Sequence, residues 1–566
     1  MSINGALQIG QSAILASQAA IQVAGNNMAN AATPGYNRQV ARLAPSRPEF
    51  IGRGGFIGTG VQLARIQRTV DTALQARTRA AISDQNSAEI DQRFLNAIET
   101  IRNELSDQDL SSRLSAFFNS FSELANNPTD EAVRTAVVQQ GSGLATAIRE
   151  LRAEHVNVRT EIDRSLGATI RTVDGLLDQI AEVNRQIVET EQGGAGGDAN
   201  ALRDRRDMLV DEISQYIPVS TVEQPNGAID ILVGSVPVVL AGESRGIELR
   251  TESSGNGTTV SLRVRADGTM LEPDGGQIGA LFRQRADTVD PAIADLDTLA
   301  RELAFQVNRI HSQGQGMRGY STVTGLNAVP DPAANLAADA NAIPFDIRNG
   351  SFELHVTNQS TGERTTVLIA VDPGATSLSQ LAARISSAFP GGTGSASVTP
   401  DGALRIDASN GYEVSFSDDS SGVLAALGVN AFFAGSDATD IAINEAIVDD
   451  PRLLAAGQGH VDGSNAAALA IAGLENLGVD SLGGRSLRGF WQSATTDLAV
   501  RTQAANTKAE SAALVRDSLE SQIQATSGVS LDEESINMLS YQRQFQAAAR
   551  YIATIDETLQ TLLTIV

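Results

Sequence analysis

Apolar side chains recur at helical spacing over much of the chain, and the two ends carry the pattern most sharply. Leu7, Ile14, Ile21 and Met28 repeat every seventh residue, with Ile3, Gly10, Ser17, Ala24 and Ala31 forming a companion row of mainly small side chains. This spacing predicts a thin N-terminal helix suited to close packing. It breaks in the run Asn30-Ala31-Ala32-Thr33-Pro34-Gly35-Tyr36, where Pro34 forbids further helix and Gly35 permits a turn. At the other end, Ser530 and Glu533 fit a capping box that opens a helix. Beyond it, Met538, Tyr541, Phe545, Ala548, Ile552, Ile555, Leu559, Leu562 and Val566 follow alternating spacings of three and four, a coiled-coil seam.

Between the ends, Ile90, Phe94, Ile98, Ile101 and Leu105 mark one helix. Ile162, Leu166, Ile170, Val173, Leu177, Ile180 and Ile187 mark a longer one, closed by the run Gly193 to Gly197, and a further helix follows over Asn200 to Ser214. The period then changes. Alternating runs at Ile229 to Val233 and Val260 to Val264, with Asn226-Gly227 and Asp267-Gly268 turns, predict hairpins. Helix returns from Gln277 to His311. A second β-rich region runs from Phe345 to about Asn444, with a short helix near Leu378 to Ile385. Asp450-Pro451 then offers a cap and first-turn proline for renewed helix, and Ala466 to Trp491 leads into the terminal helices.

The fold class read from this order is mixed α and β and multidomain. It has N- and C-terminal helices paired in a coiled-coil-like core, a long helical bundle domain and β-rich outward insertions. The divisions expected are 1–70 (N-terminal helix and turn motif), 71–216 (helical), 217–276 (β-hairpin insertion), 277–327 (helical return), 328–445 (β-rich insertion), 446–505 (helical return) and 506–566 (C-terminal helix pairing with the N-terminus).

Composition narrows the chemistry. The chain has 566 residues, ample for several buried cores. Its net charge of −25 repels phosphate backbones and anionic lipid, so nucleic acid and membrane are not expected partners. The absence of cysteine excludes disulfides, thiolate catalysis and thiolate metal sites. No charged n-region precedes an apolar core at the N-terminus, so export would use a route other than a cleavable signal peptide. No stretch is apolar for long enough to span a bilayer as a helix.

Candidate catalytic chemistry is thin. Gly314-Gln315-Gly316-Met317-Arg318-Gly319 matches a dinucleotide fingerprint, but a helix precedes it and a loop follows, the reverse of the required context. The Gly193 to Gly197 run lacks the lysine of a phosphate loop. His155, His311, His355 and His460 show no metal-ligand spacing, and alternation with Leu354 and Val356 puts His355 on the polar side of a strand. Carboxylate pairs such as Asp418 with Asp419 and Asp449 with Asp450 read as turns and caps, and Asp532, Glu533 and Glu534 as charges at a helix's positive end. No catalytic residue, metal or cofactor is assigned.

Before Arg38 the chain has no charged side chain, so the N-terminal helix has little polar face to offer water. Two thin helices closing on each other would be marginal, and burial against neighbouring subunits is favoured over a closed monomeric bundle. The assembly surface expected on this reading comprises Leu7, Ile14, Ile21 and Met28 with Met538, Tyr541, Phe545, Ile552, Ile555, Leu559 and Leu562.

The string Asn27-Met28-Ala29-Asn30-Ala31-Ala32-Thr33-Pro34-Gly35-Tyr36 resembles the N-terminal signature of the axial proteins of the bacterial flagellum, with Asn27, Asn30, Thr33, Pro34, Gly35 and Tyr36 as its signature residues. Ser527-Gly528-Val529-Ser530-Leu531-Asp532-Glu533-Glu534, followed by Tyr541-Gln542 and Ala547 to Arg550, is similar to the matching C-terminal signature. Asn200 to Asp207, Asn308 to Gly314, Phe432 to Ser436 and Asp440 to Ala442 resemble the hook-associated protein 1 family, and 328–421 is the least similar part. The resemblance implies a non-enzymatic structural protein, secreted by flagellar type III export and placed at the hook–filament junction by axial self-assembly. Implied partners are other copies of itself, the hook protein, the second junction protein (hook-associated protein 3) and an export chaperone. Another axial protein, of hook or distal rod, is the nearest alternative. A secreted hydrolase or adhesin is the alternative of another class.

Overall fold

The computed structural model describes residues 3–50, 55–103, 109–192, 197–254, 257–341, 343, 345–461 and 463–565. The chain forms two units, one of Met1–Arg93, Ile162–Gln284 and Ala504–Val566, the other of Phe94–Glu161 and Arg285–Gln503. Its helices are α1 (Ile3–Ala29), α2 (Thr72–Arg102), α3 (Leu110–Asn126), α4 (Glu131–Gln192), α5 (Asn200–Tyr216), α6 (Gly276–Arg283), α7 (Asp290–His311), α8 (Leu378–Ala388), α9 (Val423–Ala426), α10 (Glu445–Asp449), α11 (Ala466–Gly473), α12 (Leu487–Ser527) and α13 (Leu531–Ile565). Every strand pairing among the described residues is antiparallel.

In the first unit α1 packs along α13. Directly after α1 comes a feature the sequence reading missed. Strands β1 (Gln39–Pro45) and β4 (Val61–Arg68) form a hairpin, extended by the short pair β2 (Glu49–Phe50) and β3 (Phe56–Ile57). Residues 1–70 are therefore not helix and turn alone. The buried row of α4 contains the seven predicted positions from Ile162 to Ile187. Next to it stand β5 (Ser220–Glu223), β6 (Ile229–Val233), β7 (Val236–Leu240) and β8 (Glu243–Ser244) as one sheet, then β9 (Ile247–Ser254), β10 (Gly257–Val264) and β11 (Met270–Leu271) as another. Gly227 and Gly268 turn at φ 86° and 73°, the left-handed backbone that the Asn-Gly and Asp-Gly pairs implied. Buried Asn184 of α4 accepts from Ile229 N–H at 3.1 Å and donates to Ile229 C=O at 2.8 Å, tying the helix to β6.

The second unit holds the larger core. Phe117, Phe118 and Phe121 of α3 meet Phe432 and Phe433, with Phe117 5.6 Å from Phe433 and Phe121 5.6 Å from Phe432 between ring centres. Gly141 of α4 is required here, because a Cβ would sit 2.8 Å from Ile443 Cδ1. The β elements are β12 (Thr322–Thr324), β13 (Gly350–Asn358), β14 (Arg364–Val371), β15 (Gly394–Val398), β16 (Leu404–Ala408), β17 (Tyr412–Ser417), β18 (Phe433–Ala434) and β19 (Ala442–Ile443). They form the sheets β14-β13-β17, β12-β16-β15 and β18-β19. The Ser377 capping box opens α8, whose Leu378, Leu381 and Ile385 face the core.

The helix read from Gln277 to His311 is present without a break, with a π-helical segment Gln284–Val289 between α6 and α7 where Pro291 lacks the N–H of a regular ladder. Ala466 to Trp491 leads into the terminal helices through α11 and a connection that includes Gly483 and Gly484 at φ 67° and 77°. Asp450-Pro451 opens only a single 3-10 turn, Pro451–Leu453. His355 is buried rather than on a wet face: it lies between Thr366 Oγ1 and Ser417 Oγ, each 2.8 Å from a ring nitrogen. The glycines of the fingerprint-like loop serve packing, as a Cβ on Gly316 would strike the Arg452 carbonyl and one on Gly314 would lie 2.8 Å from Ala455 Cβ. Leu105 and most of the Gly193 to Gly197 run lie outside the described residues.

Candidate assembly site at the paired termini

The turn after α1 is built by short polar side chains. Asn30 Nδ2 donates back to the Asn26 carbonyl at 2.9 Å, and Thr33 N–H donates to the Asn30 carbonyl at 2.9 Å, closing the helix end. Pro34 lies within the turn that follows the helix end at Ala29, and Gly35 adopts φ 75°, where a side chain would also collide with Met208 of α5. The chain then reverses so that Tyr36 reaches back to α1, and its hydroxyl donates to Asn27 Oδ1 at 2.8 Å. The Tyr36 phenol is pushed up to about 12 by burial first and by the charge of Asp204 second, so it stays a neutral donor at ordinary pH.

Asn27 is the hub. It is fully buried, and its Oδ1 also accepts from Gln39 N–H at 3.0 Å while its Nδ2 donates to the Gln39 carbonyl at 2.8 Å and to Glu534 Oε2 at 3.1 Å. Four hydrogen bonds satisfy this amide completely, which is what a buried asparagine requires. Glu534 in turn accepts from Arg38 Nε at 2.8 Å, and Arg38 N–H donates to the Ser527 carbonyl at 2.9 Å. The signature residues of the two chain ends thus form one connected polar network. Glu534 is not merely a dipole charge, as the sequence suggested. Glu533 N–H donates to Ser530 Oγ at 3.4 Å as the cap predicts, but the Glu533 carboxylate lies 3.4 Å from Arg38 Nη1.

A second cluster anchors the loop and hairpin to α5. Asp204 accepts from Asn37 Nδ2 at 2.7 Å and from Arg68 Nη1 at 2.8 Å, and Arg68 Nη1 also reaches Asp207 at 2.7 Å. Arg79 joins Asp211 at 2.6 Å. Burial raises the Asp211 carboxyl above its usual range, opposed by Arg79. These carboxylates face arginines, and the arrangement binds chain segments to one another. Among the described residues, no group of three or more histidines and carboxylates could hold a metal ion.

Along the helix pair, α1 buries its small side chains most deeply. Gly10, Ala16, Ser17, Ala20, Val23 and Ala24 are buried, whereas Leu7, Ile14, Ile21 and Met28 are half-buried. The reason is close approach: a Cβ on Gly10 would lie 2.5 Å from Ile552 Cγ1. On α13, Met538, Tyr541, Phe545, Ile552, Ile555 and Leu559 form a half-buried stripe with Ala548 at its centre, while Ile536, Leu539 and Leu563 are exposed. Leu15 on α1 is 58% exposed. The side chains of Ile3, Leu562 and Val566 are outside the described residues. Arg38, Glu534 and Asp204 complete the site beside the signature residues. The signal for them was available in the lone early basic residue and in the buried carboxylate spacing of two separate helices, but nothing in one dimension paired them.

Two family models match the chain: the flagellar hook-associated protein FlgK helical domain over residues 95–326, and the flagellar basal body rod FlgEFG protein C-terminal domain over residues 520–565. The flagellar hook-associated protein 1 of Escherichia coli (strain K12) is 25% identical over 563 residues, covering 98% of each chain. That of Bacillus subtilis (strain 168) is 27% identical over 341 residues, covering 54% of this chain and 67% of its own. Among solved structures, the flagellar hook junction protein FlgK from Burkholderia pseudomallei aligns at a TM-score of 0.49 with 15% identity, over 79% of this chain and 99% of that one. With both terminal signatures joined in one network, the chain carries the FlgK helical domain and is similar over nearly its whole length to the flagellar hook-associated protein 1 of Escherichia coli (strain K12).

Proposed function

We propose that the chain is an exported structural subunit of the bacterial flagellum, built into the junction between hook and filament, and that it joins its neighbours through α1 and α13. The observation that carries the second part is apolar surface left unfinished in the single chain. The large side chains of α1 are only half covered, and Leu15, Ile536, Leu539 and Leu563 face outward. Neighbouring copies would cover these positions and gain the burial that a lone helix pair lacks. The hook protein on one side, the second junction protein on the other and an export chaperone before assembly are the partners this reading assigns. The work is mechanical and requires no catalytic residue.

The test is complementation of a strain lacking its own junction protein. Removing residues 559–566 shortens the seam while leaving the sheets of both units intact. The truncated chain should be exported and absent from hook tips, with flagellin lost to the medium. Normal filaments on that strain would refute assembly through α13. Normal filaments in the strain with no junction protein at all would refute the junction role.

A further inference from the structure

The hairpin β1–β4 carries an arginine cluster that the terminal networks leave unused. Between residues 38 and 68 the chain has six arginines against a single carboxylate, Glu49, within a protein of net charge −25. Arg38 and Arg68 are consumed within the chain by Glu534 and by Asp204 with Asp207. Arg42 and Arg65 are different. They stand directly opposite one another in the ladder, both exposed, and among the described residues neither has an acidic partner. Like charges directly opposite weaken a two-stranded ladder, so the pair is a cost in the isolated chain.

The surroundings make that cost intelligible. Leu43 and Leu63, the next pair beyond the bulge at Arg42–Leu43, are both exposed. Further along, Phe50 and Phe56 pair across β2 and β3 with ring centres 5.3 Å apart, both more than half exposed. The opposite face is taken: Ala41 and Ile66 pair on it and are partly covered, and Val61 N–H donates to Ser12 Oγ of α1 at 3.2 Å, holding the hairpin beside the α1–α13 seam. An uncovered strip of arginine forks between leucines and phenylalanines has the composition of an interface centre, where guanidinium groups take carboxylates in paired hydrogen bonds.

We infer that this face docks on the acidic surface of a second copy of the chain. The inference rests on the junction reading and names the contact within it. Charge selects the occupant: every copy presents an excess of carboxylates, exposed Asp532, Asp556 and Glu557 of α13 among them, whereas the same excess repels nucleic acid and anionic membrane from the molecule as a whole. The hairpin's place against α1 makes the contact continuous with the seam that neighbouring copies share.

Two measurements on the full chain test it. In the complementation strain, R42E/R65E should be exported, keep wild-type amide protection in α1 and α13, and fill at least tenfold fewer hook tips, while R42K/R65K remains near wild type. Wild-type occupancy by R42E/R65E would overturn the inference. Because the chain has no cysteine, Leu63→Cys carrying a benzophenone maleimide reports the occupant directly. A photoproduct of two copies supports the inference, and one made only with hook protein or lipid overturns it. Should the wild-type chain itself be missing from junctions, the junction reading falls, and the photoproduct still decides what the hairpin touches.

Discussion

Glu534→Ala isolates the link between the two chain ends. Its carboxylate is buried, with a side chain 4% exposed, and holds Arg38 Nε and Asn27 Nδ2 at once. Removing one partner of a buried ion pair costs about 3–5 kcal/mol. Here Arg38 keeps a quarter of its side chain in solvent and Glu533 at 3.4 Å as a substitute, and Asn27 Nδ2 retains the Gln39 carbonyl. The expected cost is therefore nearer 2–3 kcal/mol, about 30- to 150-fold in an equilibrium for local opening. Glu533→Ala is the control: that carboxylate is 64% exposed, and its loss should cost below about 1 kcal/mol. Hydrogen exchange reads both, because a unit that opens locally exchanges in proportion to its opening constant. In Glu534→Ala, amides in the last turns of α1 and the first turns of α13 should exchange faster by that factor, while those of α3 and α7 in the other unit stay unchanged. Equal effects from Glu533→Ala and Glu534→Ala, or none from either, would show that helix packing alone holds the ends together.

Gly35→Ala forces a side chain into left-handed backbone and against the movable Met208, so it should cost about 1–2 kcal/mol, read as faster exchange through residues 30–38. The second unit should weaken in acid through His311. Its Nδ1–H donates to the Asn430 carbonyl at 2.8 Å and its Nε2 accepts from Ala455 N–H at 2.9 Å, so a second proton has no place, and burial depresses the imidazole to about 4. The unfolded chain binds that proton from about pH 6.5 downward, so stability is full above that value and falls between about pH 6.5 and 4. The part of the drop from pH 7 to 5 due to His311 should be about 2 kcal/mol, read by urea unfolding of the second unit as the difference between the wild-type chain and His311→Gln.

The elements legible in the sequence are those whose burial repeats with a fixed local period. The row from Ile162 to Ile187 gave α4 its buried face, and the Asn226-Gly227 and Asp267-Gly268 turns gave hairpins, because each depends on chemistry within a few residues. The β1–β4 hairpin is not legible in the sequence although Val61, Leu63 and Arg65 stand at alternate positions. Its outward face mixes arginine with leucine, so the pattern lacks the clean apolar side that marks a strand covering a core. Helix α3 is another element that the sequence reading does not single out, although Leu110, Leu114, Phe117, Phe121 and Leu124 are buried at helical spacing.

Local periodicity and the end signatures determined that both termini are helices with apolar stripes and that a turn must follow Asn30. Only the tertiary structure decided which row of α1 goes inside. The large residues looked like the seam, yet the small row is buried deepest, because Gly10 lets Ile552 come close and burial is fixed by the distance between two helices rather than by the hydrophobicity of one. The same holds for Asn27, Arg38 and Glu534. Their meeting spans some five hundred residues of chain, and a hydrogen bond depends on where the folded backbone places donor and acceptor, a quantity no local pattern carries.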